Sequence, residues 1–467
     1  MANIPQEIVN MLNLLRGSSL MVKGAPGTGK TIFSLELLKE LGENYSGIYV
    51  STRVQPRDLY IMFPWLNGVV FEENIIDASC SFVSKSQELN KVIRYSSQPD
   101  FVKATYEKID GLKKPALLVI DSWDAVFSVV RESNEEELAR TMIDLAKETE
   151  TNLIMVVEKE KKTGLDHLVD GIVLLKWEEK DGEWYREIYL DKLRGTEILQ
   201  HKYLFTLNGG RFRHFEPFKR KFPRTRRKFK PIIDSRSHFS SGNRYLDEIL
   251  GGGFPRGSYV FLETGENVDY YAFANIINLT VANFITQGRG VLGIPRVGTS
   301  PGMIKYFAHL FGFEDGLKSL LRMVREEDSS GKETEDFVLP YTTETLKEDF
   351  RKIDSEIRRL REETGEPVLK IVAYDHMESL FGVKALPEMI SLEAQEIADS
   401  NALAIATGTH STPETNKKLA DTANIHLKII ELNGAMVLFG LKPKTGLYNI
   451  EIDISKGYPD IVLTPIR

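Results

Sequence analysis

Apolar residues occur along the chain in short runs that alternate with segments of helical periodicity. Four runs in the first half centre on consecutive apolar residues, as the strands of a parallel sheet covered on both faces require. They are SSLMVKG (18–24), SGIYVST (46–52), LLVID (117–121) and TNLIMVVE (151–158). Between the first two, TIFSLELLKEL places apolar residues over one wide helical face and ends before Gly42. This pattern predicts strand, loop, helix and strand, the opening of an α/β fold.

The second half of the chain repeats the order of the first. GEPVLKIVAYDHMESLF (365–381) matches KKPALLVIDSWDAVF (113–127), and in both an aspartate stands six residues before a phenylalanine. LVDGIVLLK (168–176) likewise has a counterpart in LADTANIHLKI (419–429). A shared series of spacings indicates duplication more strongly than any single apolar run does. We therefore predict two tandem α/β domains, each with a mostly parallel central sheet flanked by helices.

A basic segment separates the two halves. The 467-residue chain is longer than one hydrophobic core usually extends. Residues 211–231 contain ten basic residues, one acidic residue and three prolines, a composition that disfavours a helix and is typical of a linker. The predicted organisation is a first domain at 1–210, a basic linker at 211–233 and a second domain at 234–467.

Composition and charge exclude several classes of protein. The chain has 42% hydrophobic and 27% charged residues, and it has no apolar run near the roughly 20 residues that a membrane helix needs. Its start lacks the basic leader of a secretory signal. The single cysteine, Cys80, excludes an intramolecular disulfide and is interpreted as a core thiol of a reducing compartment. We expect a cytoplasmic protein without a membrane partner.

The strongest chemical signal is the stretch GAPGTGKT, which fits the pattern G-x-x-x-x-G-K-[ST] between a strand and a helix. In this motif backbone N–H groups surround phosphates, and the helix N-terminus adds a favourable potential. Lys30 would reach the β and γ oxygens, and Thr31 would bind Mg²⁺. The predicted nucleotide-binding residues are Gly24, Ala25, Pro26, Gly27, Thr28, Gly29, Lys30, Thr31 and Ile32.

Two carboxylates complete this predicted site. Asp121 ends the strand LLVID, and we predict that it holds Mg²⁺ together with Thr31. Glu158 ends the strand LIMVVE and is, with Asp124, a substitute for the general base that would orient the attacking water. The predicted catalytic set is therefore Lys30, Asp121 and Glu158, with ATP and Mg²⁺ as cofactors.

The corresponding loop of the second half has lost this chemistry. In VFLETGENVDYYAF (260–273) only Gly265 remains of the loop, and Tyr270 or its neighbour stands where Lys30 does. A charge-assisted hydrogen bond contributes about 1.5–3 kcal/mol, so triphosphate binding there should be weaker by about two decades or more. We predict a degenerate second domain without a functional P-loop.

Two further segments carry a resemblance to a known family. The lead-in SSGNRYLDEILGGGFPRGSYVFLETG (240–265) resembles the start of a KaiC-type domain of the RecA superfamily of P-loop ATPases. EIYLDKLRGTEILQHKYLFTL (187–207) resembles the KaiC segment with Lys-Leu-Arg-Gly-Thr. The tandem arrangement, the early P-loop and YVSTRVQPRDLY (49–60) are most similar to the GvpD-type members, regulators in gas-vesicle gene clusters.

This resemblance implies contacts between subunits. In KaiC domains the lysine and arginine of the Lys-Leu-Arg-Gly-Thr segment touch the nucleotide of the neighbouring subunit, so Lys192 and Arg194 would act in trans on a triphosphate held by Lys30. The resemblance therefore implies a homo-oligomer, in the form of a ring, a filament or a dimer. The alternative for these two residues is a charged strand pair on a solvated hairpin.

The chain also departs from the family. KaiC domains usually carry two glutamates after the second strand, but Arg53 and Val54 stand here, and Arg53 is assigned to the nucleotide as a γ-phosphate sensor. Loss of a general base costs a factor of about 10²–10⁴, so we expect ATP binding with slow hydrolysis. The resemblance then implies a regulatory nucleotide switch that controls assembly or the binding of an unidentified protein partner.

Two other functions remain open from the sequence. A nucleic-acid-binding transcriptional or repair regulator would use the phenylalanine-interleaved basic segment for backbone contacts and base stacking. Its predicted contacts are Arg220, Arg224, Arg226, Arg227 and Lys228. A recombinase like RecA ranks below both, because the connections after Asp121 and Glu158 are short and polar.

Overall fold

The computed structural model describes residues 3–70, 72–78, 98–129, 134–326, 335–341 and 346–467, so Cys80 lies outside the described residues. The chain divides into two compact units. Unit 1 comprises Met1–Glu216 with Ile466–Arg467, and unit 2 comprises Pro217–Pro465. Residues 211–216 of the basic segment thus belong to unit 1, and residues 217–233 belong to unit 2.

In the described part of unit 1, nine strands form one sheet with helices on both faces. The strands are β1 Ser19–Lys23, β2 Ser46–Ser51, β3 Ile75–Asp77, β4 Ala116–Asp121, β5 Thr151–Val157, β6 Gly171–Lys180, β7 Glu183–Leu193, β8 Lys202–Thr206 and β9 Arg213–Phe215. The helices are α1 Gln6–Leu14, α2 Lys30–Leu41, α3 Pro56–Met62, α4 Gln98–Asp110, α5 Trp123–Val129 and α6 Glu135–Glu148, with 3-10 turns at Pro64–Leu66, Glu72–Asn74 and Asn208–Gly210.

The sheet of unit 1 has the order β3-β2-β4-β5-β1-β6-β7-β8-β9. It is parallel from β3 to β6 and antiparallel from β6 to β9. Successive residues of β1 are buried on opposite faces: Leu20 and Val22 pack in the layer that contains Phe33 of α2, and Met21 packs in the layer that contains Trp123 of α5. Burial on both faces explains why this strand shows no alternation of apolar and polar residues.

In the described part of unit 2, ten strands form the main sheet and two short strands pair separately. The strands are β10 His238–Phe239, β11 Phe254–Pro255, β12 Ser258–Thr264, β13 Val291–Ile294, β14 Leu321–Glu326, β15 Val338–Tyr341, β16 Leu369–Ala373, β17 Leu403–Thr409, β18 Ile425–Leu432, β19 Ala435–Lys442, β20 Tyr448–Asp453 and β21 Asp460–Pro465. The helices are α7 Arg244–Ile249, α8 Tyr270–Thr286, α9 Pro301–Phe311, α10 Leu317–Leu320, α11 Leu346–Thr364, α12 Tyr374–Phe381, α13 Leu386–Ser400 and α14 Pro413–Thr422, with a 3-10 turn at Glu314–Gly316.

The main sheet of unit 2 repeats the strand order of unit 1 and adds one strand, β15, at its edge. Its order is β15-β14-β13-β16-β17-β12-β18-β19-β20-β21, and the central strand β12 leads into the long helix α8 as β1 leads into α2. The predicted α/β class, with two tandem domains built on mostly parallel sheets, is confirmed. Within the described residues, the helices are too short or too polar to cross a bilayer.

Candidate functional site

The glycine loop of unit 1 lies at the carboxyl end of the central strand, where β1 ends at Lys23 and α2 begins at Lys30. Gly24, Gly27 and Gly29 have φ values of 152°, 81° and 103°, a region that favours glycine. A Cβ atom on Gly24 would lie 2.5 Å from the carbonyl oxygen of Leu175. The backbone around the helix N-terminus therefore requires glycine, and it has the form of a phosphate cradle.

Lys30 lies inside this loop. Its Nζ donates hydrogen bonds to the carbonyl oxygens of Gly24 at 2.7 Å and Ala25 at 2.8 Å. Burial lowers the pKa of Lys30, and the charges of Glu158 and Asp121 oppose that shift. The ammonium group thus lies among the loop's own acceptors, close to two of the predicted carboxylates.

The other loop residues surround this lysine. The Thr28 Oγ1 hydroxyl donates to the carbonyl oxygen of Ala25 at 2.9 Å. Pro26 and Gly27 are exposed, and Ile32 is half-buried against the core of unit 1. The loop is therefore anchored by its own internal hydrogen bonds and exposes its tip.

Asp121 and Thr31, the two predicted Mg²⁺ ligands, are in direct contact. Thr31 Oγ1 donates to Asp121 Oδ2 at 2.6 Å. The phenol of Tyr49, on β2, donates to the same oxygen, also at 2.6 Å. Tyr49 is fully buried, and burial together with the Asp121 charge raises its pKa well above 10, so the phenol remains a donor. Tyr49 thereby fixes the carboxylate that faces Thr31.

Glu158 follows the last residue of β5, which pairs with the last residue of β1 beside the loop. Its carboxylate forms an ion pair with Arg53, with 2.6 Å between Oε1 and Nη1. The backbone N–H of Glu158 donates to Asp124 Oδ2 at 2.7 Å. The structure therefore brings Arg53, Asp124 and Glu158 together next to Asp121, and the carboxylate of Glu158 is engaged by a cation.

Two residues that the sequence analysis missed also contact the glycine loop. Arg186, on β7, donates from Nη1 to the carbonyl oxygen of Gly27 at 3.0 Å, and its guanidinium stacks 3.6 Å from the ring centre of Trp177. Glu160 Oε1 accepts from the N–H of Ala25 at 3.2 Å. Neither residue lies in a recognisable motif, and only the strand pairing brings Arg186 to the loop.

Lys192 and Arg194 do not contact the glycine loop of their own chain. Lys192 Nζ donates to the carbonyl oxygens of Val169 at 2.6 Å and Asp166 at 3.2 Å. Arg194 is exposed and pairs with Asp170, whose N–H bonds to Ser19, the first residue of β1. At about 3.3 Å per residue, the other end of β1 is about 13 Å away. Arg194 therefore lies near the amino end of β1, at the end of the strands opposite to the glycine loop.

The corresponding loop of unit 2 has a different chemistry. Only residues 265–269 separate β12 from α8, and they include Glu266 and Asp269. Asp269 caps the helix, since its Oδ1 accepts from the N–H of Tyr271 at 2.8 Å. Its carboxylate also pairs with Arg220 at 3.0 Å. A protein carboxylate thus occupies the helix N-terminus at which unit 1 presents its glycine loop.

The basic segment is largely folded onto the two units. Phe212, Phe215 and Phe229 are buried, so the expectation that they stack on bases is wrong. Phe222 is exposed in part and packs 5.1 Å from the ring of Tyr271. The backbone of Phe229 donates to the carbonyl oxygen of Phe311 at 2.8 Å. The three buried phenylalanines serve the cores of their units.

The predicted nucleic-acid contacts differ in what they touch. Arg220 pairs with Asp269, and Lys228 pairs with Asp315 at 3.3 Å. The backbone N–H of Arg227 bonds to Gly457 in unit 2. The side chains of Arg224 and Arg226 are exposed. No aromatic and basic surface for nucleic acid is assembled from these described residues.

The fold and the glycine loop together define a P-loop nucleotide-binding protein with a RecA-like sheet. The model of the GvpD gas vesicle protein P-loop domain matches residues 10–191, and that of GvpD basic region 2 matches residues 228–310. These matches support a KaiC/GvpD-like P-loop ATPase of the RecA superfamily, and the resemblance predicted from the sequence is confirmed.

Individual relatives agree with this assignment. Protein GvpD2 of Halobacterium salinarum is 26% identical over 493 residues, which cover 99% of this chain and 96% of the relative. Protein GvpD1 of the same organism is 25% identical and covers 98% of this chain and 96% of the relative. The circadian clock oscillator protein KaiC of Thermosynechococcus vestitus is 28% identical over 271 residues, which cover 54% of this chain and 49% of the relative.

Proposed function

We propose that the chain is a nucleotide-dependent regulator that binds Mg-ATP in unit 1, hydrolyses it slowly, and uses the bound nucleotide to control assembly or partner binding. The observation that carries the proposal is the contact between Thr31 and Asp121 at 2.6 Å, next to the glycine loop and Lys30. A hydroxyl and a carboxylate are ligands that Mg²⁺ prefers, and the loop N–H groups suit phosphate oxygens. The residues therefore fit both ATP and Mg²⁺.

Each residue would have a defined part in the bound state. The positive charge of Lys30 would move from the carbonyl oxygens of Gly24 and Ala25 to the β and γ phosphate oxygens. Thr31 and Asp121 would hold Mg²⁺, which neutralises charge on those oxygens, and Tyr49 would keep Asp121 oriented. Such a site supports tight binding without providing a base.

Slow hydrolysis follows from the state of Glu158. Its ion pair with Arg53, at 2.6 Å, stabilises the charged carboxylate and occupies an oxygen that a base would use to accept a proton from water. A carboxylate oxygen that a guanidinium already binds is less available to an attacking water. This arrangement suits a switch whose state persists while ATP is bound.

Unit 2 is proposed to bind no triphosphate. Its loop offers Glu266 and Asp269 where unit 1 offers glycines and Lys30, and like charges repel a triphosphate. The predicted functional division, with a nucleotide-binding domain at 1–210 and a degenerate domain at 234–467, is part of this proposal. A location in the cytoplasm, which supplies ATP, is also part of it.

We further propose that Lys192 and Arg194 contact ATP bound to a neighbouring subunit. Arg194 is exposed near the amino end of β1, at the end of the strands opposite to the glycine loop, a position suited to a contact in trans. Lys192 would have to release the carbonyl oxygens of Val169 and Asp166. Arg194 is therefore the better placed of the two residues.

Mixing two inactive variants tests this arrangement. Lys30→Ala should lose ATP binding, and Arg194→Ala should keep ATP binding while losing the ATP-dependent assembly and turnover. If Arg194 acts in trans, an equimolar mixture regains part of the turnover, because an intact Lys30 then faces an intact Arg194. Light scattering with and without Mg-ATP measures assembly, and phosphate release measures turnover. No recovery, together with unchanged monomer mass, would refute the contact in trans.

A further inference from the structure

Unit 2 contains a cavity between α8, α9 and one face of its parallel sheet. Its volume is about 110 Å³, comparable to that of an engineered apolar cavity of about 150 Å³ that binds benzene. Helix α8 contributes one continuous face of residues to the wall. They are Tyr270, Phe273, Ala274, Ile277, Asn278 and Val281. The wall is predominantly apolar.

Gly293, in the middle of β13, shows how open this space is. A Cβ atom on Gly293 would meet no atom within 4 Å, although Met323 and Ile371 from the two adjacent strands line the same cavity. Protein interiors are packed nearly as densely as organic crystals, and an opening of this size within a core layer is uncommon. Because Gly293 has no side chain, this space is left open to a bound molecule.

One polar group in the wall lacks a partner. Among the described residues, Asn278 Nδ2 is buried and makes no hydrogen bond. A buried donor without an acceptor is costly, so this amide favours a ligand with an accepting oxygen. Arg296 also lines the cavity, but its Nε donates to Asp375 Oδ2 at 3.1 Å, which compensates its charge. The polar groups therefore favour a neutral ligand over an ionic one.

One end of the cavity reaches the carboxyl ends of the strands. Its polar end includes Arg296, just beyond β13, and Tyr270, the first residue of α8. In open α/β sheets, ligands bind outside the carboxyl ends of the strands. Unit 2 thus has an apolar cavity next to the position at which it lacks the glycine loop of unit 1.

We propose that this cavity binds a small, neutral and mostly apolar molecule, with a carbonyl or hydroxyl oxygen that accepts a hydrogen bond from Asn278. The site is separate from the ATP site of unit 1 and does not depend on it. Unit 2 would then be a sensor domain that has exchanged a nucleotide for a ligand of another class.

The test uses the full-length chain and prodan, a neutral naphthalene with one ketone oxygen whose emission shifts to the blue in an apolar site. We expect saturable binding by the wild type, with one site per chain. Gly293→Leu fills the cavity and should weaken prodan binding about tenfold or more. Gly446→Leu is the matched control, since Gly446 also has no atom within 4 Å of a Cβ but lies exposed on the surface of unit 2. The variant Gly446→Leu should bind prodan with the affinity of the wild type.

A second variant tests the hydrogen bond and keeps the branching and the number of heavy atoms of the side chain. Asn278→Leu should reduce the affinity for prodan relative to naphthalene, which has no acceptor, by about two- to tenfold. Equal prodan binding in the wild type and Gly293→Leu, both folded by circular dichroism, would overturn the proposal. An unchanged ratio of prodan affinity to naphthalene affinity in Asn278→Leu would overturn the proposed hydrogen bond from Asn278 to the ligand oxygen. Displacement of prodan by ATP would overturn the assignment to a neutral ligand.

Discussion

The hydroxyl of Tyr49 provides a sharp test of the proposed Mg²⁺ site, because Tyr49→Phe removes one oxygen and leaves the packing nearly intact. Tyr49 is buried, and its phenol donates to Asp121 Oδ2 at 2.6 Å. A hydrogen bond to a charged group contributes about 1.5–3 kcal/mol, and 1.4 kcal/mol corresponds to about tenfold in affinity. Loss of a partner that orients a metal ligand typically costs about 10–100-fold in metal affinity. We expect a loss in that range.

The assay is a titration of Mg²⁺ in the presence of the protein and a fluorescent ATP analogue. Tyr49→Phe should shift the Mg²⁺ dependence to higher concentration and leave the Mg²⁺-independent part of ATP binding nearly unchanged. Tyr45→Phe is the matched control, because Tyr45 is also buried but donates to the carbonyl oxygen of Leu12, away from the loop. The same Mg²⁺ dependence in Tyr49→Phe and the wild type would refute the assigned role of Tyr49.

Two further predictions concern stability and pH. Arg211→Ala leaves the buried Glu36 without its ion-pair partner and should lower the free energy of unfolding by about 3–5 kcal/mol in denaturant titrations. Arg16→Ala breaks an exposed ion pair and should lower the free energy of unfolding by about 1 kcal/mol or less. Equal losses in the two variants would contradict this prediction. Burial lowers the pKa of Lys30, and only the charged form of the lysine binds phosphate. The Kd for ATP should therefore begin to rise at a pH below 10.5, the ordinary pKa of lysine. A Kd that does not change with pH up to 10.5 would contradict this prediction.

The parts of the fold that the sequence predicted are those encoded by contiguous residues. The strands β4 and β5 were predicted because burial on both faces makes them continuously apolar. The glycine loop was predicted because its chemistry lies within eight consecutive residues, Gly24–Thr31. The helix predicted over Thr31–Leu41 begins at Lys30, one residue earlier, and ends at Leu41 as expected.

The contacts that the sequence did not predict connect residues far apart in the chain. Tyr49 reaches Asp121 only because β2 pairs with β4, and a single tyrosine in an apolar strand gives no signal of that contact. Arg186 reaches Gly27 through the pairing of β6 with β1 and β7. The ion pair that engages Glu158 likewise depends on the fold.

The basic segment shows how composition can mislead. Charges and prolines in residues 211–231 indicated an exposed linker, and its phenylalanines suggested a stacking surface. Three of those aromatic side chains instead fill the cores of the two units, where they bury large apolar areas. Aromatic spacing within a charged run therefore did not distinguish a binding surface from an anchor.

The central claim is that unit 1 alone holds a triphosphate, and binding stoichiometry tests it most directly. Isothermal titration of the full chain with Mg-ATP should give one site per chain in the wild type and none in Lys30→Ala. Asp269→Asn, which removes the carboxylate that caps α8, should leave the count at one. Two sites per chain in the wild type, or one remaining site in Lys30→Ala, would contradict the account.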